Sequence, residues 1–150
     1  MKRIALPAVS AVLLACSCGS SGGPPASAEV LVVPARDSGG IEVHLVLRDA
    51  ERGTTRADGA AIVEVIEKRS DPYAESGETE VPLYRGQLPV LRSHFRKITY
   101  RKTPLIAFPV GRIPYSDFFE APTRKSGIVK IKFRARYSED DIVGEAVFRF

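Results

Sequence analysis

The sequence predicts an all-β protein, an antiparallel β-sandwich of seven or eight strands that ends in a C-terminal β-hairpin. Three observations carry this expectation. Apolar and polar residues alternate with a period of two in several separate runs, as a half-buried strand requires. Clusters of Gly, Asp, Ser and Pro punctuate those runs, and no stretch sustains an unambiguous helical period. The chain has 150 residues, 44% hydrophobic and 27% charged, which is one domain of ordinary globular material and excludes a disordered or multispanning chain.

Taken in order, Val30 to Val33 is the first run, and Asp37-Ser-Gly-Gly is a turn. Ile41 to Arg48 is the clearest early strand: Ile41, Val43, Leu45 and Leu47 share one face, Glu42, His44 and Arg48 the other. After a turn at Asp58-Gly59, Ala61 to Lys68 places Val63 and Val65 on one face and Ile62 and Ile66 on the other. That strand is expected to be buried on both sides, so Glu64 needs a partner or an edge. Residues 69–80 are polar and acidic and read as a long loop, followed by a short strand at Val81 to Tyr84. Residues 88–98 fit two periods: Leu88, Leu91, Phe95 and Ile98 are at helical spacing, while the second half also alternates, favouring a strand from Phe95 to Arg101. Leu105 to Phe108, bracketed by Pro104 and Pro109, suits a short or edge strand.

The C-terminal signal is the strongest. Val129, Ile131, Phe133, Ala135 and Tyr137 alternate with Lys130, Lys132, Arg134 and Arg136, and the chain resumes at Ile142 after Ser138-Glu-Asp-Asp141. Pairing Tyr137 with Ile142 sets Ile131 against Phe148, Phe133 against Ala146, Val129 against Phe150 and Arg134 against Glu145, with Lys130 facing Arg149. This closing segment loosely resembles the end of an immunoglobulin-like or fibronectin-type domain. That resemblance implies architecture only, since the chain has no Trp and lacks the Cys-Trp-Cys set; a transthyretin-like sandwich is the nearest competitor.

The N-terminus is of another kind. Lys2 and Arg3 precede an uncharged stretch, Ile4 to Ala15, too short to span a bilayer. Its end, Leu13-Leu14-Ala15-Cys16, resembles the lipobox of bacterial lipoproteins. The resemblance implies a signal peptide over residues 1–15, cleavage before Cys16 and acylation of that residue, which anchors the chain to a membrane of the cell envelope. Ser17, where an Asp would resemble an inner-membrane retention mark, favours the outer membrane in a Gram-negative cell. Residues 16–28 are rich in Gly, Ser and Pro and read as a flexible tether, leaving the sandwich at 29–150. Cys16 and Cys18 lie too close to staple the fold.

Charge is uneven along the chain. Residues 29–80 hold 6 basic and 12 acidic residues, and residues 81–136 hold 13 basic and 2 acidic. Lys130, Lys132, Arg134 and Arg136 form a row about 20 Å long on one strand face. It reads either as a solvated face that discourages sheet-to-sheet association or as a binding face. Arg92, Arg96, Lys97, Arg101 and Lys102 extend it if their strand lies beside the final hairpin. An anchored envelope protein directs such a surface to anionic lipid, acidic polysaccharide or an acidic envelope protein rather than to nucleic acid.

Catalytic signatures are missing: no nucleophile elbow, phosphate loop, HExxH or CxxC pairing occurs. His44 and Glu42 share a strand face and supply two metal ligands only if a neighbouring strand adds a third, so no metal or cofactor is expected and a metal-binding or enzymatic domain remains the alternative. Tyr115, Phe118 and Phe119 cluster between Pro114 and Pro122, as either a loop closing one end of the core or an aromatic ligand loop. The expected function is a non-enzymatic binding or scaffolding module, with an accessory subunit of a larger envelope complex as the other alternative.

Overall fold

The structure, a computed structural model, describes residues 22–150; the expectations for the signal peptide, for Cys16 and for Cys18 fall outside the described residues. Nine strands follow one another: β1 (Ser27–Pro34), β2 (Gly40–Arg48), β3 (Thr54–Thr55), β4 (Gly59–Ser70), β5 (Glu78–Val90), β6 (Arg96–Tyr100), β7 (Thr103–Pro114), β8 (Ser126–Ala135) and β9 (Asp141–Arg149). All pairings are antiparallel. One sheet has the order β1-β2-β7-β6 with β3 beside β2, and the other the order β5-β4-β8-β9. The all-β sandwich is therefore the fold.

The alternating faces explain the core. Ile41, Val43, Leu45 and Leu47 of β2 meet Ala61, Val63 and Val65 of β4 and Val129, Ile131 and Phe133 of β8 in one buried cluster. Gly59 has no Cβ because one there would collide with the Arg134 carbonyl and the Phe133 ring. At the seam between the sheets, Gly144 of β9 lets the edge of β1 approach: a Cβ would stand 2.8 Å from the Ala28 carbonyl oxygen.

A second, smaller core lies on the outer side of the first sheet. Leu31 and Val46 point away from the main core, yet both are buried, clustered with Ala107 and with Ile98, Tyr100 and Leu105. The β6–β7 hairpin provides that cover. β7 pairs with β2 only over residues 108–114 and with β6 only over residues 103–107, so its first half leaves β2 and packs across the sheet's outer face. Just beyond that change of partner, Pro109 and Gly111 flank Val110, the extra residue at the irregular register opposite Val43/His44.

Several sequence expectations are corrected. Residues 69–80 are not a long loop, because β4 runs to Ser70, β5 starts at Glu78 and the two form a long hairpin. The expected short strand Val81 to Tyr84 is the middle of a 13-residue edge strand, which accommodates Pro82 and Pro89 because an edge strand has backbone amides that pair with nothing. Likewise Leu105 to Phe108 belongs to a 12-residue strand that runs through both flanking prolines. In the ambiguous 88–98 region, a single 3-10 turn at Arg92–His94 precedes β6. Body structure also starts before Glu29: β1 begins at Ser27, and the Gly23 amide donates to the Asp49 carboxylate at 3.3 Å while Thr55 Oγ1 donates to the Gly23 carbonyl at 2.8 Å.

The final hairpin is present, but its register differs by four residues. Phe133, not Tyr137, pairs with Ile142; Ile131 pairs with Gly144, Val129 with Ala146 and Arg134 with Asp141. β8 stops at Ala135 because Tyr137 turns into the left-handed region (φ 68°) and the Ser138 amide donates back to the Ala135 carbonyl. An even shift leaves every side chain on its expected face. It also removes the repulsive Lys130–Arg149 pair, because Lys130 stands opposite Glu145.

Candidate functional site

The basic row on β8 is largely neutralised where it stands. Lys130 Nζ lies 3.3 Å from Glu145 and 3.8 Å from Glu80. Arg134 Nε donates to Asp141 at 2.8 Å, which raises the arginine's pKa and lowers that of the aspartate. Glu64, whose partner the sequence left open, reaches Arg85 at 3.5 Å on the same outer face. Arg136 lies beyond the strand, its guanidinium 5.1 Å from the centre of the Tyr137 ring. Lys132 and Arg136 are the members of the row that form no ion pair among the described residues.

The second basic group is elsewhere. β6 pairs with β7 and not with the second sheet, so Arg96, Lys97, Arg101 and Lys102 do not extend the β8 row; they stand on the hairpin that covers the outer face of the first sheet, and its tip reaches the β1–β9 seam, where Arg101 lines a depression with Val147 and Arg149. Among the described residues none of the four forms an ion pair with a carboxylate. Arg101 and Lys102 are the two central residues of the hairpin turn, and both have positive φ, 47° and 67°. Asn and Gly normally fill such a turn, because a longer L side chain there strains the backbone. Tyr100 packs in the small outer core while the Arg101 guanidinium lies 5.3 Å from its ring centre. From Val81 to Ser116 the chain has seven basic residues and no acidic one.

Of the aromatic loop, Tyr115 and Phe118 are core closures. Their rings meet edge-on at 5.4 Å, and both meet Phe150, which in turn packs on Phe148 at 4.9 Å. Phe119 differs in being 67% exposed, although its amide donates to the Leu83 carbonyl. His44 is half-buried on the outer face of β2, in a shallow depression with Glu42, Pro109 and Arg112. Burial lowers its pKa against a smaller opposing pull from Glu42. Among the described residues no group of three His, Cys, Asp or Glu side chains forms that could hold a metal.

Sequence reasoning missed Glu67. Its side chain has no exposed surface, and Oε1 accepts the amides of Thr123 and Arg124 and the Thr123 hydroxyl, while Oε2 accepts Arg69 Nε at 2.9 Å. Burial by itself would raise its pKa, yet the donors outweigh burial and hold it below the usual carboxylate value. The available signal was the broken alternation at Val65-Ile66-Glu67, which marks an irregular register in β4. Glu67 thereby fixes the 120–125 loop, whose Arg124 and Lys125, with Lys68, line a cleft of about 500 Å³ beside Ile128 and Val147.

No protein-family model, curated protein or solved structure matches this chain.

Proposed function

We propose that this chain is a lipid-anchored protein of the bacterial envelope whose sandwich is a non-enzymatic binding or scaffolding module for an anionic envelope component. The observation that carries the reading is Leu13-Leu14-Ala15-Cys16 after a basic start and a short uncharged stretch. Acyl chains on Cys16 hold the chain on a bilayer, since each buried CH₂ contributes about 0.8 kcal/mol and more than one chain is needed for a durable anchor. The module part is supported by two charge distributions: one on β8 in which Lys130 and Arg134 are paired, and one on β6–β7 that has no carboxylate partners among the described residues. In the metal-binding or enzymatic alternative, His44 and Glu42 supply two ligand-type side chains, and among the described residues no third stands with them.

One observation favours a second reading, an accessory subunit of an envelope complex. On the outer face of the second sheet, Ile66, Ile128 and Val147 form a cross-strand row, with Val147 75% exposed at its end. Expression of wild type and Cys16→Ser in a bacterial host, with fractionation and radiolabelled palmitate, tests the anchor. Label and membrane retention lost in the variant support it, and an unlabelled wild type in the soluble fraction overturns it. Crosslinking through position 147 in intact cells separates the second reading, which expects a specific protein adduct there.

A further inference from the structure

We infer that the β6–β7 hairpin is the membrane-facing side of the molecule: it rests on the anionic headgroups of the same bilayer that holds Cys16. This rests on the lipid-anchor reading above and adds the orientation and the surface. Three independent observations lead to it.

The first is charge. On the side of the sandwich covered by the hairpin, Arg96, Lys97, Arg101 and Lys102 stand without carboxylate partners among the described residues, whereas Glu29 is paired with Arg48 at 2.9 Å and Asp37 with Arg112 at 2.6 Å. Glu42 is the remaining exposed carboxylate on the β2 outer face. The second sheet, by contrast, interleaves its cations with carboxylates on the same outer face: Glu64 meets Arg85, Glu80 and Glu145 meet Lys130, and Asp141 meets Arg134, beside Lys132, which forms no ion pair among the described residues. Each Lys or Arg brought to an anionic bilayer surface strengthens binding about fivefold, so four make a useful contact once an anchor has raised the local concentration.

The second is the turn. Two adjacent non-Gly residues with positive φ are kept at the hairpin tip, where Asn-Gly would be relaxed. A strained turn made of Arg101 and Lys102 is an observation that fold stability does not explain and charge presentation does.

The third is reach. Five residues separate Cys16 from Gly22, so the two Cα atoms lie at most about 20 Å apart. The following residue, Gly23, is fastened to the β2–β3 end of the first sheet through Asp49 and Thr55. The β6–β7 hairpin packs directly on the outer face of that sheet, over Leu31 and Val46, so a tether of this length lets it meet the bilayer. The cleft on the outer face of the second sheet then faces the aqueous space, while Val147, which shares a depression with Arg101 at the β1–β9 seam, lies at the margin between the two sides.

The test uses the mature chain reconstituted in vesicles of phosphatidylcholine, with or without 30 mol% phosphatidylglycerol. In a Cys18→Ser background, a nitroxide is attached through Thr99→Cys on the hairpin or Val143→Cys on the second sheet. With phosphatidylglycerol, the label at position 99 is expected to relax against a headgroup-bound nickel chelate and to return to water in high salt or in Arg101→Asn with Lys102→Gly. The label at 143 is expected to stay in water throughout. A position-99 label in water on anionic vesicles, an equal approach to neutral ones, or a position-143 label at the headgroups overturns the proposal. Mass spectrometry of the same preparation reports Cys16 acylation separately. If that modification is absent, the anchor reading fails alone, and cosedimentation decides the hairpin's role: a loss of about 25-fold in the double variant supports it, and equal binding overturns it.

Discussion

Glu67 and Arg69, two residues apart on β4, hold each other through the wholly buried Glu67 carboxylate, with Arg69 Nε and Nη2 both 2.9 Å from Oε2. Arg69 also reaches Glu120 at 3.3 Å, while Oε1 takes the Thr123 and Arg124 amides. The pair therefore joins a strand to the loop that enters β8. Removing the Glu67 carboxylate takes the acceptor from the Thr123 and Arg124 amides while Arg69 keeps Glu120, and a buried donor left without its acceptor costs about 1–3 kcal/mol. Glu67→Ala is expected to lose about that much in urea unfolding, with the midpoint shifted and the slope unchanged.

Acid should act through the same carboxylate. The folded-state pKa of Glu67 lies below its ordinary 4.5, so its contribution is complete above that value and is lost as pH falls through the folded pKa. Urea unfolding between pH 7 and pH 3 is expected to show declining stability below about 4.5, with a shallower decline in Glu67→Gln. Equal pH dependence in both proteins would contradict this role.

His44 has the opposite charge type but the same direction. Burial depresses its pKa below 6.5, so folding disfavours the imidazolium and stability is lost as pH falls from 6.5 through the folded value. Proton NMR is expected to give a titration midpoint for His44 below 6.5, and His44→Gln should remove that part of the pH dependence.

Gly59→Ala tests the close approach of β4 to β8. The added methyl meets the Arg134 backbone and the Phe133 ring, neither of which can swing away as a flexible side chain could. A loss of about 1–3 kcal/mol is expected from overpacking, read as a lower melting temperature.

The hairpin turn gives a prediction of unusual sign. Arg101→Asn with Lys102→Gly relieves two positive-φ residues and is expected to stabilise the fold by about 1–2 kcal/mol while weakening contact with anionic vesicles. If stability and binding fell together, the turn would be a structural feature and not a charge-presenting one.

Faces were legible in the sequence because a period of two needs only local information. Ile41, Val43, Leu45 and Leu47 all enter the core, and the even register error at Tyr137 left Val129, Ile131 and Phe133 there too. Register depended on where the turn falls, and the αL backbone of Tyr137 has no signal in a residue type that seldom adopts it. The burial of Leu31 and Val46 was equally hidden, since it comes from a hairpin 50 residues or more further along the chain. The basic residues could be counted, but their separation onto different sheets is a property of strand order, and so is the pairing of Lys130 with Glu80 and Glu145.

The account rests most heavily on how the mature chain begins, and the intact mass of protein isolated from bacterial membranes addresses it directly. The expected result is a chain starting at Cys16 and carrying acyl groups on that residue. A chain that retains residues 1–15, or one that begins there with an unmodified thiol, would contradict the anchor and with it the orientation of the hairpin.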